Sequence, residues 1–285
     1  MALVGKNLRV LLAVWAVAGL FVPPLDSAEL KTETVAAFDR YIRATEERMA
    51  EDSCSDRFLI MNRLPDALRQ ETYRQLRQGQ LYVEQLHATE DGRSIEIPGG
   101  LVHHWVGVVF IPRASLSQTV ALLQDYDHYA NVYKPEVRRS KLVERNDNEF
   151  KIYLQFYQKS IVTVVINATF DVHFGMCGPM RALSRSYSTR IAEVENPGRP
   201  DERELPVGND HGYVWRLYNY SRVEEQDGGV YLQMESVGLS RRIPWMFAWL
   251  INPLTNSIPR DVLSNLLNAT RKAVTNAGTP LGPGS

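Results

Sequence analysis

Three very short turns do most to limit what this chain can fold into. "RNDN" (145–148), "MCGPM" (176–180) and "QDGG" (226–229) each separate runs rich in strand-forming residues. Connections this short join antiparallel neighbours, because a parallel pair needs a crossover of about a dozen residues. "LVHHWVGVVFIP" precedes these runs as a strand, and residues 115–133 between them carry helical spacing, with Ser115 or Ser117 as a cap. After the last run comes "SIPRDVLSNLLNATRKAV". Ser257 is its expected N-cap and Pro259 lies near its first position. Ile258, Val262, Leu263, Leu266, Leu267 and Val274 form one apolar stripe. Strands joined by tight turns and followed by a segregated helix read as α+β. The expected architecture is a curved antiparallel sheet gripping a long C-terminal helix. The space between them is either filled by side chains or holds a ligand.

Ahead of the sheet, residues 29–51 and 64–77 read as helices, and 80–100 as a hairpin around "EDGR". The expected organisation is a helical lead-in over 29–78, a main domain over 79–276 and a frayed tail over 277–285. Residues 1–28 have the layout of a secretory signal. Lys6 and Arg9 precede an apolar run at 11–22, and "PPLDSA" follows. The run is short for a membrane span, which needs about 20 apolar residues. Export to a periplasmic or extracellular space is expected, with an uncleaved membrane anchor as the alternative. The chain has two cysteines, Cys54 and Cys177. Export would allow one bridge, but unpaired or merely structural cysteines are the favoured reading. The formal net charge is −1, which gives no electrostatic footprint for nucleic acid.

Strand parity sorts the side chains. Val230, Leu232, Met234 and Ser236 make one face, against Tyr231, Gln233 and Glu235. Tyr213, Trp215, Leu217 and Asn219 read as inward, and Arg216 and Arg222 as outward. Leu154 and Phe156 read as inward, and so do Ile166 and Phe170. "ALSRSYST" has no clear apolar face and is left without an orientation. In "LVHHWVGVVF" adjacent histidines point apart, which argues against a shared metal site, and no other cluster completes one. His104 is placed with Val106 and Phe110 toward the cavity. His103 goes with Trp105 to the opposite face, under the lead-in.

Three stretches carry a family resemblance. "IPRASLSQTVALLQDYDHYANVYKPEVRRSKLVER", "WRLYNYSRVEEQDGGVYLQMESVGLSRRIP" and "INPLTNSIPRDVLSNLLNATRKAV" occur in the order of a strand, helical turn, last hairpin and final helix. In this the region from about 100 to 276 resembles the START-like, or helix-grip, superfamily. That group includes polyketide cyclases and aromatases, coenzyme Q-binding proteins and lipid-transfer domains. The resemblance implies a seven-stranded antiparallel sheet around the last helix, with a hydrophobic tunnel between them.

The functional expectation is an exported protein binding an apolar or amphipathic, lipid-like molecule, without cofactor or metal. Its expected lining is His104, Leu154, Phe156, Ile166, Phe170, Trp215, Leu217, Asn219, Met234, Leu263 and Leu267. Arg241 and Arg242 are candidates to hold an anionic head group. Trp245, Phe247 and Trp249, in the apolar segment 243–254, are candidates for peripheral membrane contact. A cyclase or dehydratase using His104 or a tyrosine as acid/base is one alternative. An interaction module with a filled cavity is the other.

Overall fold

The computed structural model describes the backbone of residues 28–159, 163–242 and 245–277, and the side chains of 29–159, 163–242 and 258–277. The signal-like segment, the side chains of Trp245, Phe247 and Trp249, and the tail from 278 lie outside the described residues.

Helices α1 (Thr32–Asp52) and α2 (Asp66–Arg77) form the lead-in. Strand β1 (Tyr82–Gln85) follows, then a two-residue ladder around "EDGR" where a longer hairpin was expected. Next come β2 (Gly100–Pro112), α3 (Leu116–Gln124) and the short α4 (Tyr129–Val132). Ser115 caps α3 in a reciprocal capping box with Gln118. Strands β3 (Val137–Asn146), β4 (Glu149–Lys159), β5 (Thr163–Met176), β6 (Arg181–Glu195), β7 (Arg216–Gln226) and β8 (Gly229–Arg241) follow. Helix α5 spans Trp245–Ala277. It begins about a dozen residues before the expected cap at Ser257. Pro253 and Pro259 therefore lie inside the helix rather than at its start.

The sheet order is β1-β2-β8-β7-β6-β5-β4-β3, antiparallel throughout. A short strand, Arg203–Glu204, adds beside β6. The seven long strands are those the resemblance implies, and β1 is an edge contributed from the lead-in side. This is the α+β helix-grip arrangement.

Both faces of the sheet are covered. On the concave side, Val109, Ile111, Phe170, Val172, Val230 and Leu232 form a core with Leu263, Leu267 and Val274 of α5. On the convex side, Phe38, Tyr41 and Ile42 of α1 pack with Val237 and Leu239 of β8. Phe58 to Met61 and Leu76 pack with Val106, Val108 and Tyr231. Cys54 and Cys177 are bridged, contrary to the favoured unpaired reading. The bridge ties the end of α1 to the β5–β6 turn, across 123 residues of chain.

Helix and sheet meet most closely at Gly107. A Cβ there would lie 2.6 Å from Leu267 Cδ1 and 3.2 Å from Leu263 Cδ2. Only glycine lets α5 settle on β2 at this height. Gly107→Val should lower unfolding free energy by about 1–3 kcal/mol, the usual cost of overpacking, as read from urea denaturation.

Candidate functional site

The pairing register assigns every strand residue to a face. Gly107 touches α5, so Leu101, His103, Trp105, Val109 and Ile111 share the concave, helix-facing side. On β8 the same side carries Val230, Leu232, Met234, Ser236, Gly238 and Ser240. On β7 it carries Leu217, Asn219, Ser221 and Val223. The unoriented serine strand is settled by the same ladder: Ser186 opposes Asn219, and Ser184 opposes Ser221. Its odd residues, Arg185 and Tyr187, face the lead-in.

Of the expected lining residues, Leu154, Ile166, Phe170, Leu263 and Leu267 belong to the concave core, and Phe156, Leu217 and Met234 pack at its border. Asn219 stands on the same face, opposite Ser236.

Two expected lining residues lie elsewhere. His104 is on the convex side, 2 % exposed, beneath α1. Its Nδ1 is 2.9 Å from the Tyr41 hydroxyl and its Nε2 2.7 Å from Glu235 Oε1. It is closed off from the concave space, so it cannot serve as an acid/base group there. His103 is the histidine on the helix-facing side, so the two assignments are reversed. Parity alone could not choose between them, because β2 is covered on both faces and both of its alternating sets are apolar. Trp215 packs with Phe38 and Ala37 in the convex core. It precedes the first regular pair of β7, Arg216↔Leu239, and Asp210 Oδ1 accepts from its indole N–H at 3.1 Å. Strand parity does not extend to it.

Arg222 lies on the side away from α5, as read, but it is buried there under the lead-in, where it donates to the carbonyls of Phe58 and Met49. The convex layer is polar at its centre. Glu235 accepts from Arg48 and pairs with His104, while Gln233 Oε1 accepts from Ile60 N at 2.7 Å. Asp52 accepts from Arg63 Nε at 2.7 Å. Arg242, a head-group candidate, donates to the carbonyls of Gly100 and Ile97, and Arg241 N donates to Gly212 O.

The concave face has a different polar character. Among the described residues, Ser184, Ser186, Asn219, Ser221 and Ser236 have no side-chain hydrogen bond, and each is only partly buried. Trp105, Leu217 and Met234 around them are also partly buried. His103 Nε2 is 2.9 Å from Ser240 Oγ, and burial lowers the imidazole pKa to about 4. His103 is therefore neutral at pH 7. A base that weak offers little drive for proton abstraction there but is a competent hydrogen-bonding group. The sequence signal for this cluster lay in the unassigned serine strand.

At the far end of β6, Glu193 accepts from His211 N, His211 Nδ1 and Tyr213 N at 2.7–3.1 Å. Asp210 accepts from Gly212 N and from the Trp215 indole. Burial raises both carboxyl pKa values, and repulsion from Asp210 adds to the rise at Glu193. These two groups pin the loop leading into β7. Among the described residues, no cluster of three or more His, Cys, Asp or Glu is arranged to hold a metal.

No family model matches the chain, and no curated relative does. Solved structures with similar folds include a STAR-related lipid transfer protein from Xanthomonas axonopodis. It is 17 % identical over 67 % of this chain and 98 % of that one, with a TM-score of 0.44. Human STARD10 is 11 % identical over 74 % of this chain and 81 % of its own, at 0.41. The Zhui aromatase/cyclase from Streptomyces sp. R1128 is 14 % identical over 65 % and 100 %, at 0.37.

Two predictions test this geometry. Arg48→Met leaves Glu235 buried with one partner fewer and should cost about 3–5 kcal/mol in denaturant unfolding. For His103 the folded pKa lies below the unfolded value near 6.5. Its contribution to stability is therefore complete above pH 6.5 and is lost as pH falls toward 4. His103→Gln should flatten that part of the profile of melting temperature against pH.

Proposed function

We propose that this chain is an exported binding protein that holds an apolar or amphipathic, lipid-like small molecule between the sheet and α5. The observation that carries the reading is the incomplete burial of Trp105, Leu217 and Met234. They sit on the inner face of a sheet with a helix across it, yet they remain partly open. A close-packed interior leaves few voids larger than a water molecule, so large apolar side chains left open on an inner face favour an occupant. The neutral His103 and the enclosure of His104 favour binding over acid/base catalysis.

Export rests on the signal-like segment at 1–28, and a bridged Cys54–Cys177 pair suits an oxidising compartment. Trp245, Phe247 and Trp249 begin α5, and in this reading they form a lip that touches a membrane surface during loading.

Native mass spectrometry of protein purified from its own host should show a lipid-sized adduct that is released by organic solvent. Met234→Arg would place an uncompensated cation on the inner face and should lower occupancy by about tenfold or more. A bare mass, together with no uptake of 1-aminoanthracene from solution, would overturn the proposal.

A further inference from the structure

Among the described residues, the concave faces of β2, β6, β7 and β8 combine unmet hydrogen-bonding capacity with an absence of cationic charge. Ser184 and Ser186 of β6, Asn219 and Ser221 of β7 and Ser236 of β8 stand side by side through the ladders Ser186↔Asn219↔Ser236 and Ser184↔Ser221. None has a side-chain partner among the described residues. Beside them, the His103–Ser240 pair adds a neutral imidazole and a hydroxyl.

Among the described residues, no lysine or arginine occupies a helix-facing position on β2, β6, β7 or β8. The carboxylates on that face are Glu193, Glu225 and, at the outer end of β6, Glu195, which is paired with Arg203 of the added short strand. Glu193 is held by His211 and Tyr213, and Glu225 by the Leu116 amide at 2.6 Å. Between Arg242 and Arg260 the sequence contains no Asp, Glu, Lys or Arg. The span of α5 places the backbone of its first half over the polar group. Eighteen helical residues from Trp245 to Leu263 cover about 27 Å. Seven strand residues from Gly100, paired with Arg241, to Gly107, against Leu263, cover about 24 Å. The first half of α5 therefore runs along the Leu101–Trp105 end of β2, where Ser236 and Ser240 also lie.

An ionised head group in such a space would lose its hydration and gain no counter-charge, which costs several kcal/mol. A purely apolar ligand would strip water from five polar side chains and return no hydrogen bonds. An uncharged group with several oxygens meets both conditions. We infer that the ligand is an uncharged amphiphile bearing two or more hydroxyl or carbonyl oxygens, bound with that end against the Asn219–Ser236–Ser186 patch and its apolar part along Trp105, Leu217 and Met234. This rests on the binding reading above and specifies its ligand class.

Displacement of 1-aminoanthracene from the oxidised protein tests it, using 1-monooleoylglycerol and oleate at pH 8. The two share one acyl chain and differ in the charge and oxygen content of the head. Monooleoylglycerol should displace the dye at a concentration at least tenfold lower than oleate. The double variant Asn219→Leu, Ser236→Val should lose at least tenfold for monooleoylglycerol while keeping its affinity for the dye. Dye binding by the variant reports that it is folded, and the comparison in the unaltered protein stands without it. Equal or better displacement by oleate, or an unchanged affinity in the variant, would overturn the ligand class and leave the binding reading standing. Failure of every probe to bind would overturn the binding reading itself.

Discussion

The Glu235 carboxylate, 1 % exposed at the centre of β8, is the group on which the arrangement of this molecule turns. A buried ionised carboxylate is tolerable only when it is paired and hydrogen-bonded. Its partners come from two places: His104 from the neighbouring strand and Arg48 from α1. Tyr41 of α1 then fixes the other imidazole nitrogen and accepts from Ala88 N. One carboxylate thus sets the height and rotation of α1 on the sheet. Arg222 extends the same logic. It takes the carbonyls of Met49 and Phe58, the groups freed where α1 ends and the chain turns. A polar convex face without the lead-in would be a solvated surface. With it, the face becomes a dry layer held in one register.

Covering the convex side has a consequence for the concave one. Lead-in, bridge and convex core hold the sheet from behind, through contacts that do not involve α5. Helix α5 is then anchored by its second half. Leu263 and Leu267 lie on Gly107, Asn265 bonds Glu136, and Thr270 bonds Tyr133. The strands opposite its first half are free to carry groups that would be poor core. Serines and an asparagine contribute little packing, and unpartnered polar atoms weaken a core. They persist where the stability of the fold is supplied elsewhere.

The tight turns made the antiparallel order legible, and the resemblance supplied the grip. The alternation of β5 and β8 correctly assigned Ile166, Phe170 and Met234 to the inner face. The exchange of the two histidines has a plain cause. Parity identifies two faces but names neither, and a strand covered on both sides offers no polar set to mark the outside. His104 and His103 were exchanged for that reason. Arg222 does lie on the face away from α5, as its outward reading has it; its burial there was illegible because its partners are backbone carbonyls that no residue type announces. The start of α5 was set too late because Ser257 and Pro259 form a good helix start signal, yet the preceding apolar residues are already helical. The serine strand was illegible alone. Only the ladder with Asn219 and Ser236 gives it a face.

That ladder also bears on why a carpet of small polar groups suits recognition better than one strong contact. A single buried arginine would bind an anion firmly but would cost its own desolvation whenever the site is empty. Hydroxyls and an amide remain solvated in the empty state at little cost and exchange water for ligand oxygens nearly evenly. On the proposed binding reading, net affinity comes from the apolar surface around Trp105, Leu217 and Met234, at about 25 cal/mol per Å² before ordering costs. The polar patch contributes discrimination: an ion there lacks a counter-charge, and a bare hydrocarbon leaves the patch unpaired. On that reading, affinity and selectivity are carried by different side chains of the same four strands, β2, β6, β7 and β8, so either can change with limited effect on the other.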